Sequence, residues 1–229
     1  MAIELTWLGH ASWQIKTENH TILLDPFVDE NPSAASKAAD LKADYVLVSH
    51  GHFDHVADVA PIANQCTSTV IAVYEIAEWF AKNHGVVNTI GMNTGGGIAL
   101  PFGHVKMTNA VHSSQLPDGS YGGNPVGFLL TIEGKRLYFA CDTALFGDMG
   151  LIGVTEIDAA ILPIGDHFTM GPDDSIVATN MIKPKIVIPS HYNTWPPIEQ
   201  DAAAWASKIE LKTASTAIVP NVGVGFNID

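Results

Sequence analysis

His50-Gly51-His52-Phe53-Asp54-His55 places four metal-ligating side chains within six residues. Three imidazoles and a carboxylate crowded in this way are costly to bury unless a cation binds them. On a regular helix, positions 50 and 54 share a face while position 52 points away, so the four groups can converge only on an irregular loop. Gly51 supplies the backbone freedom for such a loop. The stretch predicts a metal site.

Three more candidate ligands each follow a short apolar run. His112 follows 105–111, Asp142 follows 137–141 and His191 follows 186–189. Neutral imidazole and carboxylate suit zinc, manganese or iron. One ion needs only three or four protein ligands, so this set implies two. We expect a pair of divalent ions, zinc in the first place and manganese or iron as alternatives.

The remaining apolar runs are short and rich in β-branched and aromatic residues, which predicts strands, while three segments have helical spacing. The predicted strands are 3–8, 12–16, 21–24, 45–48, 70–73, 105–111, 126–132, 136–140, 159–162, 186–188, 217–219 and 222–226, and the predicted helices are 75–83, 173–182 and 198–209. Two blocks of strands with accompanying helices predict an α/β fold, a four-layer αββα sandwich. We find no linker rich in Pro, Gly or Ser, which predicts one domain over 1–229. Gly95-Gly96-Gly97 is predicted to be a flexible turn.

Composition restricts the class of protein. The chain is 47% hydrophobic and 15% charged over 229 residues, which is typical of a globular protein with a substantial core. Its net charge of -13 repels phosphates, so we expect no nucleic-acid partner.

No apolar run is long enough to span a bilayer. Cys66 and Cys141 are too few for a disulfide framework, and the start at Met1-Ala2-Ile3-Glu4 lacks signal-peptide features. We expect a cytoplasmic protein with a small-molecule substrate. A homo-oligomer is compatible with the composition, although nothing identifies an interface.

The order of the candidate ligands resembles a known family. The motif His50-x-His52-x-Asp54-His55, followed by His112, Asp142 and His191, is similar to that of the metallo-β-lactamase superfamily. Flanking stretches are similar to one branch of it, small predicted metal-dependent hydrolases related to sugar-lactone hydrolases. These stretches are Trp7-Leu8-Gly9-His10-Ala11-Ser12, residues 165–171, and Pro189-Ser190-His191-Tyr192-Asn193-Thr194. The resemblance spans nearly the whole chain and implies the metallo-β-lactamase fold.

The resemblance also implies roles for the ligands. One ion would be bound by His50, His52 and His112, and the other by Asp54, His55 and His191. Asp142 and a hydroxide would bridge the two. The implied activity is that of a dinuclear metal-dependent hydrolase, in which metal-bound hydroxide attacks a small ester or lactone, a sugar-phosphate lactone among them. The alternatives are a phosphodiesterase, an iron-dependent redox enzyme and a non-catalytic metal-binding protein.

Other residues are candidates for supporting roles. Asp54 would orient the nucleophile and could take its proton, while His10 or His167 could donate a proton to the leaving oxygen. The branch has Asn in place of His167, which leaves its role open, and His10 fits a core histidine as well as a pocket wall. Asp25 could accept a hydrogen bond from a ligating imidazole. Candidates for an apolar pocket, or for core packing, are Phe27, Phe168, Met170 and Trp195.

Overall fold

The structure is a computed structural model that describes residues 3–228. Met1, Ala2 and Asp229 lie outside the described residues. The stretch Met1-Ala2-Ile3-Glu4 and the predicted domain 1–229 therefore extend beyond the described range. Among residues 3–228, no helix combines the length and the apolar character needed to cross a bilayer.

Within residues 3–228, fourteen strands form two sheets of seven. In chain order the strands are β1 (Ile3–Gly9), β2 (Ser12–Lys16), β3 (Thr21–Leu24), β4 (Tyr45–Leu47), β5 (Thr69–Val73), β6 (Asn88–Met92), β7 (Gly97–Leu100), β8 (Gly103–Asn109), β9 (Val126–Ile132), β10 (Lys135–Phe139), β11 (Ala159–Pro163), β12 (Ile186–Ser190), β13 (Thr216–Ala217) and β14 (Gly225–Ile228). The first sheet has the order β14-β1-β2-β3-β4-β5-β6, and the second β13-β12-β11-β10-β9-β8-β7. Both sheets are mixed: β3 to β6 run parallel in one and β10 to β13 in the other.

In the part of the chain that the structure describes, six α-helices accompany the sheets. They are α1 (Phe53–Val56), α2 (Val59–Cys66), α3 (Tyr74–His84), α4 (Met149–Gly153), α5 (Pro172–Ile182) and α6 (Ala202–Lys212). The first sheet is covered by α2 and α3, while α5 contacts β11 and α6 contacts β13 in the second. This arrangement confirms the αββα sandwich.

The core lies between the two sheets. Trp13 of the first sheet meets Phe139 of the second edge to face, with ring centroids 6.2 Å apart. The indole N–H of Trp13 also donates to Ser190 Oγ at 3.1 Å, which ties β2 to the end of β12. Both aromatic side chains are almost completely buried. The sandwich is therefore closed by apolar packing, with one polar contact close to the end that carries the candidate ligands.

The candidate ligands gather at the carboxyl ends of the strands. His10 follows β1, Asp25 follows β3 and His191 follows β12, while His50 and Asp142 each lie three residues beyond the ends of β4 and β10. Parallel strands place their carboxyl ends at one edge, so loops from both sheets meet there on a rigid support.

Several predicted elements have different bounds. The helix predicted over 198–209 begins only at Ala202. In the predicted turn Gly95-Gly96-Gly97, the last residue already belongs to β7. The terminal strands predicted over 217–219 and 222–226 are observed at Thr216–Ala217 and Gly225–Ile228. The sequence patterns did not predict β6, β7, α1, α2 or α4.

Candidate metal centre

The stretch 50–55 is irregular only in its first half. His52 precedes α1, so Asp54 and His55 lie on a single helical turn. The expectation that all four ligands require an irregular loop was therefore wrong for its second half. Gly51 also serves differently from the prediction: its φ is not positive, but a Cβ there would lie 3.2 Å from the Leu116 side chain. Gly51 is needed because the neighbouring loop packs against its backbone.

Asp142 lies at the centre of the site. Its Oδ2 is 3.0 Å from Nε2 of His191 and 3.4 Å from Nε2 of His55. The same oxygen is 3.6 Å from Nε2 of His112 and 4.0 Å from Nε2 of His50. One carboxylate oxygen is thus within reach of imidazoles from four separate positions in the chain.

The other ligands form two groups around this carboxylate. Within each group the candidate ligand atoms lie within 4.8 Å of one another. One group consists of His50, His52 and His112, and the other of His10, Asp54, His55 and His191. The structure therefore brings all seven predicted ligands close together. His10 lies with Asp54, His55 and His191, and a third group, Asp25 with His50 and His55, connects the other two.

The donor atoms fit divalent cations. In the part of the chain that the structure describes, Nε2 of His55 and Oδ1 of Asp142 are buried without a hydrogen-bond partner. Burial and the neighbouring His55 hold the pKa of His50 well below its usual range, which favours the neutral imidazole that metals bind. Burial also opposes the charge of His55, yet Asp142, Asp54 and Asp25 raise its pKa well above the usual range. The carboxylates thus favour positive charge at this position.

Asp25 holds one of the candidate ligands, His55, through a hydrogen bond. It is fully buried, and its Oδ2 accepts a hydrogen bond from Nδ1 of His55 at 2.8 Å, as a carboxylate behind a ligating imidazole should. Ser49 donates to Asp25 through its hydroxyl at 2.5 Å and through its backbone N–H at 2.7 Å. The Ser49 hydroxyl also lies 2.9 Å from Nδ1 of His50. Ser49 thus links one histidine of each group, a role that the sequence patterns did not indicate.

His10 is a buried partner of Asp54. Its side chain is fully buried, with Nε2 2.9 Å from Asp54 Oδ2 and Nδ1 2.8 Å from Thr194 Oγ1. Burial, together with the nearby His191, lowers the pKa of His10 to about 4. The backbone carbonyl of His10 accepts a hydrogen bond from the N–H of His191 at 2.9 Å. His10 thus joins the ends of β1 and β12.

Several strands end in sharp turns, and four residues at these turns have positive φ angles. The φ angles of His10, Asp25, Cys141 and His191 are 55°, 45°, 55° and 54°, in the left-handed region that side chains other than glycine rarely adopt. Each position costs about 1–2 kcal/mol relative to ordinary backbone. Cys141 shares its turn with Asp142, and burial, with the charges of Asp25 and Asp142, raises the pKa of its thiol well above the usual range. A thiol in this state is a poor nucleophile.

A cavity of about 650 Å³ opens onto the two groups. On its metal side it is lined by His52, Asp54, His112, Asp142 and His191. The rest of the lining is formed by Phe53, Ser113, Gln115, Leu116, Pro117, Gly119, Phe168, Trp195 and Pro197. Phe168 and Trp195 are thus pocket residues, whereas Phe27 and Met170 are buried in the interior. The volume is ordinary for a small-molecule site.

His167 stands apart from the candidate ligands. It is exposed on the loop after β11, and its ring contacts that of Phe168 at a centroid distance of 4.5 Å. It is not one of the residues that line the cavity, all of which belong to the described range 3–228. The structure therefore places His167 beside the cavity wall and away from the seven ligands.

Comparisons with known proteins agree with this geometry. Residues 20–192 match the family model described as a beta-lactamase superfamily domain. The chain is 46% identical over 231 positions to a UPF0173 metal-dependent hydrolase of Pelotomaculum thermopropionicum, covering 99% of this chain and 100% of that protein. It is 44% identical over 210 positions to a UPF0173 metal-dependent hydrolase of Thermus thermophilus, covering 92% of each. Igni18, a metallo hydrolase from the archaeon Ignicoccus hospitalis, superposes with a TM-score of 0.89 at 30% identity, covering 100% of this chain and 99% of that one.

Proposed function

The chain belongs to the metallo-β-lactamase superfamily and is a metal-dependent hydrolase, and on that premise we propose that it holds two divalent ions and cleaves a small ester or lactone. The observation that carries the proposal is the position of Asp142 Oδ2, between 3.0 and 4.0 Å from imidazoles of both ligand groups. A single carboxylate so placed can contact two ions at once. Of the metals that these ligands suit, we propose zinc, with manganese and iron as the alternatives to test.

Each group would hold one ion. His50, His52 and His112 would supply three imidazoles to the first, and burial lowers the pKa of each, which favours the neutral form. Asp54, His55 and His191 would hold the second, where the carboxylate would offset part of the added charge. When bound, such ions supply Lewis acidity and lower the pKa of water from about 15.7 towards about 7. Asp25 and Ser49 keep the His50 and His55 rings in the orientation that ligation needs.

Asp54 is the protein group best placed to act on the reacting atoms. It lines the cavity and keeps 13% of its side chain exposed, so one part of the carboxylate faces the substrate side. Its Oδ2 is held by His10, while the nearby His55 and His10 keep the pKa of Asp54 low despite burial. We propose that Asp54 orients the attacking water and accepts its proton.

His10 supports Asp54 through a hydrogen bond on its buried side. Both of its ring nitrogens already have partners, its side chain is fully buried, and it does not line the cavity. We therefore assign His10 as a positioning residue that fixes the Asp54 carboxylate. Donation of a proton to the leaving oxygen by His10 or by His167 stays a prediction, and the exposed His167 would have to turn towards the cavity to do so.

The proposal is tested by metal content and substrate class together. We expect elemental analysis of the untreated protein to find about two ions per chain, and we expect the protein to hydrolyse a lactone faster than a generic aryl phosphodiester. Asp142→Ala should lose at least one ion and reduce activity by more than about 100-fold, because it removes the shared ligand. Asp40→Ala, an exposed carboxylate, is the matched control and should retain both.

Three results would contradict the proposal. Full occupancy by two ions in Asp142→Ala would show that Asp142 does not bridge them. Cleavage of the phosphodiester, with no cleavage of the lactone or of a simple aryl ester, would replace the proposed ester chemistry by phosphodiester hydrolysis. Stoichiometric iron with an oxygen-dependent activity would also overturn it.

A further inference from the structure

We propose that the cavity selects an ester or lactone whose side chain is uncharged and apolar. This inference rests on the proposed function, since it assumes that the ester carbonyl lies against the metal side of the cavity. It concerns the part of the substrate that points away from the ions. Three observations support it: the composition of the cavity wall, the positions of the basic residues and the acidic surroundings.

The first observation is the cavity wall. Phe53 and Phe168 line the cavity and leave 52% and 51% of their surface exposed, although large aromatic side chains are normally buried. Trp195 lies beside Phe53, with ring centroids 6.1 Å apart, and Leu116, Pro117 and Pro197 extend the apolar surface. Exposed apolar surface that is gathered around a polar site is typical of a ligand-binding pocket.

This wall is also firmly supported. Phe27 is buried directly behind it. The Phe27 ring packs edge to face on Phe53, with ring centroids 5.8 Å apart, and lies tilted against Trp195, with ring centroids 6.1 Å apart. Trp195 packs in addition on His10, at a centroid distance of 4.8 Å. The rings of Phe53 and Trp195 are therefore packed against neighbours before any ligand arrives, which reduces the entropy lost on binding.

The second observation is the position of the basic residues. None of the residues that line the cavity, which all fall within the described range 3–228, is Lys or Arg. The same holds for the loops that surround it, which are residues 48–58, 110–125, 141–148, 164–171 and 191–201. A phosphate or carboxylate on the substrate side chain would need such a cation, or a set of aligned N–H donors, to replace its hydration.

The third observation is the acidic surroundings. Asp118 stands between Pro117 and Gly119 of the lining, Asp166 precedes Phe168 by two residues, and Glu199 follows Pro197 by two. The protein as a whole carries a net charge of -13. These charges disfavour an anionic side chain and leave an uncharged one unaffected. A sugar-phosphate lactone, which carries an anionic group, is thus the alternative substrate class to the uncharged, apolar one proposed here.

Three γ-lactones that share one reacting ring test the inference on the metal-loaded protein. They are unsubstituted γ-butyrolactone, γ-nonalactone with its pentyl side chain, and a γ-lactone whose side chain of similar length ends in a carboxylate. We expect kcat/KM for γ-nonalactone to exceed that for γ-butyrolactone by at least about 10-fold, as for added methylenes in an apolar pocket. The carboxylate-bearing lactone should fall below both.

Variants of the wall identify its contribution. Phe168→Ala should reduce the ratio of kcat/KM between the pentyl and unsubstituted lactones, and Phe168→Leu should retain more of it, because it keeps apolar area. Phe168→Lys should raise kcat/KM for the carboxylate-bearing lactone relative to the pentyl one. Leu211→Ala is the control, since Leu211 is 82% exposed on α6 and outside the cavity lining. It should leave all three rates unchanged.

Binding provides a readout that does not depend on turnover. The γ-lactams that match the unsubstituted and pentyl lactones keep the ring shape, and calorimetry should give a Kd at least about 10-fold lower for the pentyl lactam. Equal kcat/KM for all three lactones, or a preference for the anionic one, would overturn the inference while leaving the hydrolase proposal intact. If neither the lactones nor a simple aryl ester were cleaved and neither lactam bound, both proposals would fall.

Discussion

At the scale of single residues, His10 shows how a buried side chain can set the position of a reactive one. Its Nε2 holds Asp54 Oδ2 at 2.9 Å, and its Nδ1 is anchored by Thr194 at 2.8 Å. The anchor lies on the loop after β12, so the position of Asp54 depends on both sheets. A change at His10 should therefore affect the reaction even though His10 does not line the cavity.

We predict that His10→Ala lowers kcat by about 10- to 100-fold, with a smaller effect on KM, because Asp54 loses the partner that orients it. His10→Gln should restore part of kcat, since its terminal amide lies near the position of Nε2 and can still donate to Asp54. The measurement is steady-state kinetics on the preferred ester or lactone for both variants. Loss of kcat that is equal in the two variants would assign His10 a structural role only.

Most of the candidate ligands that the structure brings together could be identified from the sequence, whereas the cavity could not. Residues 50–55 contain four of the candidate ligands, a density that packing alone does not produce. His112, Asp142 and His191 were identifiable from their order relative to that stretch. Leu116 and Phe53 gave no such signal, because lining a cavity depends on how the loop 110–125 folds over α1. Ser49 is likewise a common residue whose role lies only in its contacts with Asp25 and His50.

At the scale of elements, Asp158 joins three neighbouring strands of the second sheet. It immediately precedes β11, its Oδ2 accepts from the Arg136 backbone N–H of β10 at 2.8 Å, and its Oδ1 accepts from Lys185 Nζ at 2.7 Å just before β12. Burial acts to raise the pKa of Asp158, but these two donors outweigh it and lower the pKa below the usual range. Its ionised form is thus stabilised by folding.

We predict that Asp158→Asn lowers the free energy of unfolding by about 1 kcal/mol at pH 7. Because the folded pKa is lowered, the stabilisation by the carboxylate is present above its unfolded pKa of about 3.9 and is lost as the pH falls through the folded value. The difference between wild type and variant should therefore shrink between pH 5 and pH 3. Urea denaturation at each pH measures it.

Asp173→Asn is the matched control for this prediction. Asp173 also pairs with a lysine, Lys208, at 3.2 Å, but its side chain is 82% exposed. An exposed pair of this kind contributes little, so we expect a change within about 0.5 kcal/mol at either pH. A difference between Asp158→Asn and wild type that stayed constant down to pH 3 would show that the carboxylate charge is not the source of the stabilisation.

The same scale shows which elements a sequence pattern can predict. Buried strands such as β4 and β12 are continuous apolar runs and were predicted nearly to the residue. The edge strands β6 and β7 are partly exposed and contain Gly91 and Gly97, so their pattern resembles a turn. The predicted start of α6 was wrong because Pro196–Ile198 form a 3-10 turn, and the true start is fixed by Asp201, whose side chain accepts from the Ala204 N–H at 2.9 Å.

At the scale of the whole molecule, metal binding and folding stability should be coupled. The ligands come from loops of both sheets, and Nε2 of His55 and Oδ1 of Asp142 are buried without a partner among the described residues. Ions that bind only the folded protein stabilise it by about 4 kcal/mol at a thousand times Kd. Their removal therefore leaves buried polar groups unsatisfied and withdraws this stabilisation.

We predict that chelation lowers Tm by about 10 °C, the shift that about 4 kcal/mol implies for a protein of this size. Differential scanning calorimetry before and after treatment, with zinc added back, measures the effect. Asp142→Ala should respond much less to the chelator, because it has already lost a shared ligand. An unchanged Tm in the stripped wild type would mean that the centre does not contribute to folding stability.

The left-handed turns at His10, Asp25, Cys141 and His191 have a consequence for the evolution of the protein. Every copy of the protein carries their conformational cost, at about 1–2 kcal/mol each, whether or not it ever meets a substrate. Glycine would relieve the backbone cost at His10, Asp25 and His191, whose polar side chains belong to the candidate metal centre and not to the apolar core. A lineage that no longer needed the reaction should therefore accumulate glycine at these turns first, so that the loss of catalysis could be read from genomes before any change in the shape of the protein.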